Sequence, residues 1–271
     1  MEERVAPAPP PKDTWAAGDL YEPFIGRWSR LAAAEFLKWL AVPPGKDWVD
    51  VGCGTGALTQ AILDTASPKS VRGIEPSPFI ERARATIQDP RATFQLGGAE
   101  ALPLEAATID ACVSGLVLNF VPDQPRGLAE MARVTRPGGV IAAYVWNYAG
   151  KMELLRYFWD AVRTLDRDTA ALDEATRFPI CNPEPLAALF TNAGLQDVET
   201  RAIDVPTHFK DFDDYWNPFL GGQGPAPSYV TSLDYERQTI LRDFVRGRLP
   251  KKKDGSIQLI ARAWAVRGRT A

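Results

Sequence analysis

The residues that could do chemistry begin with a run of glycines between two carboxylates. Asp50-Val51-Gly52-Cys53-Gly54-Thr55-Gly56 sets a glycine at every second position directly behind the short apolar run Trp48 to Val51. Glycine lets a backbone turn sharply and lets a ligand approach it closely. A strand that ends in such a turn is a cradle for a nucleotide-like ligand. Gly52, Gly54 and Ala57 also satisfy the G-x-G-x-x-G/A spacing of dinucleotide sites, so the turn alone does not choose among nucleotides. Asp50 is badly placed for a pyrophosphate and well placed to organise the turn around a cationic amino-acid group. Glu75 closes the next apolar run, where a carboxylate can accept both hydroxyls of a ribose.

These groups need elements to hold them. Leu31, Ala34, Phe36, Leu37 and Leu40 recur at helical spacing and predict a helix over 27–40, stopped by Pro43-Pro44-Gly45. Strands are predicted over 48–51, 71–74, 92–96, 109–114 and 140–146. Between them lie helices over 57–63, 79–87 (capped by Ser77) and 125–134. Strand and helix alternating over short connections predict an α/β fold with a parallel, doubly wound sheet, which binds ligands at the carboxyl ends of its strands. After 146 the rhythm changes. Helices are predicted over 153–165 and 185–193, a sixth strand over 198–205, a loop-rich stretch over 206–227, a helix over 232–248 and a closing strand over 256–266. Residues 1–14, rich in proline and alanine, read as a disordered tail.

Composition narrows the function. The chain has 271 residues, 45% of them hydrophobic and 24% charged, which is ordinary for a globular protein able to bury its own core. A formal net charge of −3 argues against a nucleic-acid binder dominated by phosphate contacts. Lys251-Lys252-Lys253, beside Pro250 and Gly255, reads as a solvated loop. Cys53, Cys112 and Cys181 are scattered, with no metal-ligand spacing, so no metal site is expected. No apolar segment at the start resembles a signal peptide, and no run approaches the roughly 18 apolar residues of a membrane span. A cytoplasmic location is the expectation.

Further motifs break the tie between nucleotides. Gly97-Gly98-Ala99-Glu100-Ala101-Leu102-Pro103 follows the third strand, and Ile109-Asp110-Ala111 opens the fourth. Leu118-Asn119-Phe120-Val121-Pro122-Asp123 comes next, and Arg136-Pro137-Gly138-Gly139 precedes the fifth. Together with VDVGCGTG, this set resembles the class I S-adenosylmethionine-dependent methyltransferases, and within them the small-molecule, ubiquinone/menaquinone-methyltransferase-like group. The likeness is good over roughly 20–146 and looser beyond. It implies a seven-stranded, mostly parallel, Rossmann-like sheet with its last strand antiparallel. It also implies one domain over 15–271: an N-terminal helical lid (15–46), a cofactor-binding core (47–146), cap insertions (150–183 and 206–250) and closing strands (198–205 and 256–266). S-adenosylmethionine is the implied cofactor. Gly52, Gly54 and Gly56 would pack under its methionine and ribose, with Asp50 behind them and Glu75 on the ribose. Pro76 and Ser77 would line the adenine, Ala99 and Glu100 would sit at its edge, and Ser114 and Leu116 would flank the methionine. Tyr21 and Arg27, from the aromatic and basic cluster over 21–30, would reach the methionine carboxylate, or else belong to a helix entry with surface arginines. The sequence departs from the family at Gly98, where an aspartate usually accepts from the adenine amino group. A backbone carbonyl or Glu100 would have to substitute.

The resemblance leaves the methyl acceptor open. Transfer from a sulfonium is an in-line displacement helped mainly by positioning at about 3–3.5 Å and by excluding water, so many acceptors need no base. If one is used, His208, the single histidine, is the candidate, expected just behind the sixth strand. Trp28, Trp146, Tyr148, Tyr215 and Trp216 are candidate walls of an apolar pocket for a small molecule. Asn119 and Asn147 are candidate hydrogen-bonders to it. Two other readings stay on the table: a protein that binds S-adenosylmethionine without catalysis, and an NAD-dependent oxidoreductase, which the absence of Tyr-x-x-x-Lys disfavours. A nucleic-acid methyltransferase is opposed by Leu118-Asn119-Phe120-Val121-Pro122, which lacks the Asn-Pro-Pro-aromatic run of that family.

Overall fold

The computed structural model describes residues 22–221 and 224–271. The expected tail over 1–14 and the candidate Tyr21 lie outside the described residues. A π-helical turn, Glu22–Gly26, leads into α1, Arg27–Leu40. Then come β1 (Asp47–Val51), α2 (Ala57–Thr65), β2 (Ser70–Glu75), α3 (Phe79–Thr86), β3 (Ala92–Leu96), β4 (Ile109–Gly115), α4 (Gln124–Val134) and β5 (Thr135–Trp146). The second half holds α5 (Glu153–Leu165), α6 (Glu174–Arg177), α7 (Pro183–Asn192), β6 (Gln196–Phe209), α8 (Phe212–Trp216), α9 (Pro225–Ser232), α10 (Tyr235–Arg248) and β7 (Ile257–Arg269).

The strands form one seven-stranded sheet in the order β3-β2-β1-β4-β5-β7-β6. The neighbours from β3 through to β5 pair in parallel, and β7 runs antiparallel to both β5 and β6. The order reverses between β1 and β4, which opens a crevice at their carboxyl ends. β1 is buried at every position because helices cover both faces of the sheet, the reason a central parallel strand reads as an apolar run. Register places Asp50 of β1 beside Val113 of β4, and Val113 beside Ala142 of β5, so these three share a face. Tyr144, next but one along that face, packs on Phe36 of α1 with ring centroids 4.6 Å apart. Asp110 and Arg136, two pieces of the sequence motifs, join at 2.8 Å, and Asp110 also accepts from the Asp47 N–H. Their role is to tie β4 and the entry to β5 onto the start of β1.

Three expectations change. The stretch 206–227 is not loop: β6 runs to Phe209 and is followed by α8, a 3₁₀ turn over Asn217–Gly221 and α9. The last helix begins at Tyr235, because Asp234 accepts from the Arg237 N–H and caps it there. β5 begins at Thr135, ahead of the Pro137-Gly138-Gly139 turn, across a register shift against β4. Beyond Trp146, β7 projects past the end of β5. Its inner edge is met there by Met152, which bridges to Ala261, and by Glu153, whose carboxylate accepts from the Ile260 N–H at 2.7 Å.

Candidate functional site

The glycine turn stands where the crevice opens. Its first amides are anchored on β2: the N–H groups of Gly52 and Cys53 donate to the Ile74 carbonyl at 2.7 and 3.1 Å. Gly52 has φ +75°, and a Cβ there would lie 2.5 Å from Val117, so only glycine lets the loop after β4 close onto the turn. Gly54 has φ +53° and nothing within 4 Å of where a Cβ would be, so its bare backbone faces open space. Leu116, in the left-handed region at φ +63°, reverses the chain at the end of β4 and delivers Val117 to Gly52.

Two carboxylates flank the turn. Glu75 is buried, and each of its oxygens accepts a backbone N–H at 3.0 Å, one from Gly54 and one from Ser77. A carboxylate can accept about four hydrogen bonds, so both oxygens keep capacity for hydroxyls. Asp50 is 1% exposed. One oxygen accepts from the Thr59 hydroxyl at 2.7 Å, and Oδ1 has no partner among the described residues. Burial pushes its carboxyl up to about 7, with repulsion from Glu75 adding to the rise. A buried, half-satisfied carboxylate is the group a cationic ligand relieves. The Ser77 hydroxyl accepts from the Phe79 N–H at 3.3 Å ahead of α3, whose N-cap position is Pro78, and Pro76 is exposed beside it.

After β3, the Gly98 carbonyl accepts from the Ala101 N–H at 3.3 Å, closing a tight turn. Glu100 reaches away from that turn and accepts from the Asp123 N–H at 2.7 Å, so it ties the loops after β3 and β4 together. Ala99 packs against Gly127 of α4. Ser114 is buried in β4. Asn119, in the 3₁₀ turn Leu118–Phe120, is 5% exposed, and neither Nδ2 nor Oδ1 has a partner among the described residues. The buried Trp146, at the end of β5, likewise has a partnerless indole N–H. Asn147 is buried in the turn that follows, and its carbonyl accepts from Gly150 and Met152. Phe178 covers this side. Its ring lies 5.0 Å from Phe120 and 5.9 Å from Tyr148. It reaches there on a strap over 166–182 that buried ion pairing fixes: Arg156 of α5 holds Asp173 at 2.6 Å, and the Trp159 N–H donates to Glu174.

Other candidates fall elsewhere. His208 is corrected: it lies within β6, opposite Gln258, and is exposed, whereas Thr207 and Phe209 on either side are buried. The longer strand sets the alternation, and the alternation turns the imidazole outward. Arg27 is half-buried at the start of α1. It holds the Asp214 carboxylate at 2.9 Å and stacks over Trp28 and Phe209 at 4.5 and 4.8 Å, joining α1 to the segment after β6. Trp28 belongs to the same seam, edge-on to Phe209 at 5.5 Å. Tyr215 and Trp216 are interior rather than pocket-lining. Tyr215 is fully buried and donates its hydroxyl to the Leu154 carbonyl at 2.8 Å, and Trp216 stacks on Phe212. Thr59, Val117 and Phe178 are site residues that the sequence reading misses. Of these, only Thr59 carries a sequence signal, a hydroxyl on the first turn of the helix behind Asp50. No group of three or more His, Cys, Asp or Glu among the described residues could hold a metal ion. No helix among them is long and apolar enough to cross a membrane.

Comparison with known proteins agrees with this geometry. The family described as "Methyltransferase domain" matches residues 49–143, from β1 through most of β5. A malonyl-[acyl-carrier protein] O-methyltransferase of Serratia marcescens is 36% identical over 120 residues, 44% of this chain and 45% of the relative. A demethylmenaquinone methyltransferase of Lysinibacillus sphaericus is 30% identical over 181 residues, 61% of this chain and 76% of the relative. The chain spans about half the length of the first curated relatives it matches, 45% and 48%. Among solved structures, a putative methyltransferase from an antibiotic biosynthesis pathway of Anabaena variabilis superposes with a TM-score of 0.60. It is 19% identical and covers 87% of this chain and 96% of its own. The glycine turn and the acidic residue ending β2 fall within the matched residues, and a relative 30% identical is covered over 76% of its length, so this chain belongs to the class I S-adenosylmethionine-dependent methyltransferases.

Proposed function

We propose that the chain transfers a methyl group from S-adenosylmethionine to a small, apolar or aromatic acceptor. The residues present fit that cofactor. Asp50 has a buried oxygen without a partner for a cationic amino-acid group, Glu75 keeps lone pairs for ribose hydroxyls, and the turn at Gly54 offers unobstructed backbone. When bound, the cofactor supplies an electrophilic methyl group on a sulfonium. The chain's own part is to orient the acceptor and exclude water.

The observation that carries the acceptor reading is Asn119. A buried amide with neither end satisfied costs a few kcal/mol, and a ligand's polar group relieves that cost. It stands two residues from Val117, which touches the glycine turn, and next in sequence to Phe120, whose ring packs on Phe178 and, through it, near Tyr148. Asn119 orients the acceptor's polar atom and the rings hold its apolar body. The outward His208 takes no part in this reading. A methyl-donor consumption screen against phenols, carboxylates and amines, followed by Asn119→Leu, tests it. The expected outcome is a KM for the acceptor raised about tenfold or more, with S-adenosylhomocysteine affinity unchanged. An unchanged KM, or no turnover with any acceptor class, sinks the reading.

Adenine recognition gives a second expectation. Gly98 has room for a side chain, and Glu100 is committed to Asp123. Gly98→Asp should tighten S-adenosylhomocysteine binding up to about tenfold, the gain from one added hydrogen bond, measured by calorimetry. Weaker binding in that variant would mean that the turn after β3 does not face the adenine.

A further inference from the structure

The outer side of the cap carries a cleft of about 680 Å³ that the methyl-transfer reading does not use. It is lined by Asp160, Arg163, Thr164, Arg167, Ala170 and Arg248. Asp160, Arg163 and Thr164 lie on one face of α5 at i, i+3 and i+4 spacing. Arg167 opens the 3₁₀ turn Arg167–Leu172, and Arg248 ends α10. Three exposed arginines from three elements thus border the cleft, beside one exposed carboxylate, in a chain of net charge −3. Arg27, Arg133, Arg156, Arg262 and Arg267 each hold a carboxylate within the protein. Arg163, Arg167 and Arg248 hold none among the described residues. Arg248 stacks over Phe244 at 4.3 Å, which occupies the face of its guanidinium and leaves its in-plane N–H groups for a ligand.

We propose that this cleft binds a diphosphate-bearing small molecule. A guanidinium fork matches two oxygens of a phosphate. Three arginines and the Thr164 hydroxyl set around a space of about 680 Å³ leave far more room than one phosphate fills and suit two linked ones. Asp160 repels further negative charge at its end of the cleft and accepts a hydroxyl from the rest of the ligand, as a sugar diphosphate or nucleoside diphosphate would offer. The same chemistry is presented by a free nucleotide or by a diphosphate lipid at a membrane surface.

The site is tested on the full chain by calorimetric titration with inorganic pyrophosphate, ADP and inorganic phosphate, and by sedimentation with phosphatidylcholine vesicles carrying farnesyl diphosphate. Pyrophosphate is expected to bind about tenfold or more tightly than phosphate and to keep binding at about 300 mM salt, where loose surface attraction is screened. The double variant Arg163→Gln/Arg248→Gln should weaken it about tenfold or more. Arg201→Gln, which removes an exposed arginine of β6, should not. Unchanged melting temperature and S-adenosylhomocysteine affinity in these variants report an intact fold. ADP binding that the double variant loses identifies a free nucleotide as the source. Vesicle binding lost in the double variant, with ADP ineffective, identifies a lipid. The proposal is overturned if pyrophosphate binds no better than phosphate, or if Arg201→Gln weakens it as much as the double variant does.

Discussion

Asp50→Asn will leave the ligand-free protein more stable than the wild type at pH 8 while weakening its grip on the cofactor. The Asp50 carboxyl is held up to about 7 by burial, whereas in an unfolded chain it titrates near 3.8. Between those values the native state keeps a proton that the unfolded state has released. Stability from this group therefore falls as pH rises from about 4 to about 7, then levels off. The fall is about 4 kcal/mol at roughly 1.4 kcal/mol for each unit of difference. An asparagine has no such slope. Its carbonyl can still accept from Thr59, so the variant should match the wild type near pH 4 and exceed it by up to about 4 kcal/mol at pH 8, as read by denaturant unfolding. Cofactor binding should move the other way. In the wild type, S-adenosylhomocysteine affinity should rise from pH 5.5 to 7 as the carboxylate forms beneath the ligand's ammonium group. In the variant it should be about tenfold weaker or more, and flat with pH. A variant that melts below the wild type at pH 8 would show that the buried charge is not a burden on the ligand-free fold.

Arg156→Met should be the most damaging single change in the cap. Asp173 is 1% exposed, its Oδ2 is held by Arg156, and its Oδ1 caps α6 through the Ala175 N–H at 2.9 Å. Removing the guanidinium leaves a buried carboxylate without its counter-charge, a loss of about 3–5 kcal/mol when the surroundings cannot relax. Here they can relax locally, because the strap over 166–182 is short and ends at the surface of the site. The loss should appear first as faster amide hydrogen exchange across 167–182 and only then as a lower global stability. Adding Asp173→Asn should restore much of it, since the amide keeps the cap and carries no charge. The methyl acceptor should be felt more than the cofactor, because the strap carries Phe178, while Asp50 and Glu75 are hydrogen-bonded by Thr59, Gly54 and Ser77. If exchange in the strap is unchanged in Arg156→Met, the ion pair does not hold Phe178 in place.

The parts legible in the sequence were those fixed by backbone needs and by period. The helix over 27–40 and the strand over 92–96 are found at their predicted bounds, because apolar spacing and proline stops define them locally. The glycine turn was legible because few other residues take its conformation. Glu75 was legible because it ends a strand beside that turn. What failed depended on partners distant in sequence. β6 outruns its predicted end because β7 is there to pair with it as far as Ile257, and those added residues take His208 into the strand with its side chain exposed. Tyr215 and Trp216 looked like pocket walls because aromatic residues serve cores and pockets alike, and only the packing around Phe209, Phe212 and Phe219 decides between them. Phe178 was invisible because its place on Phe120 is set by a buried ion pair formed elsewhere in the chain.

β6 is one of the two edge strands and runs for 14 residues, well beyond the ordinary length of about five or six. An exposed edge of that length is a template on which further chains can add and polymerise. This one is blunted at both ends. Asp197 sits in the left-handed region at φ +52°, within a register shift that bends the start of the strand, and Pro206 removes an N–H near its finish. Between them Glu199, Arg201 and Asp204 stand exposed, with Asp204 held by Arg262. Crowded solutions of this protein are thereby guarded against edge-to-edge aggregation, and His208, expected to move protons, stands on that guarded margin.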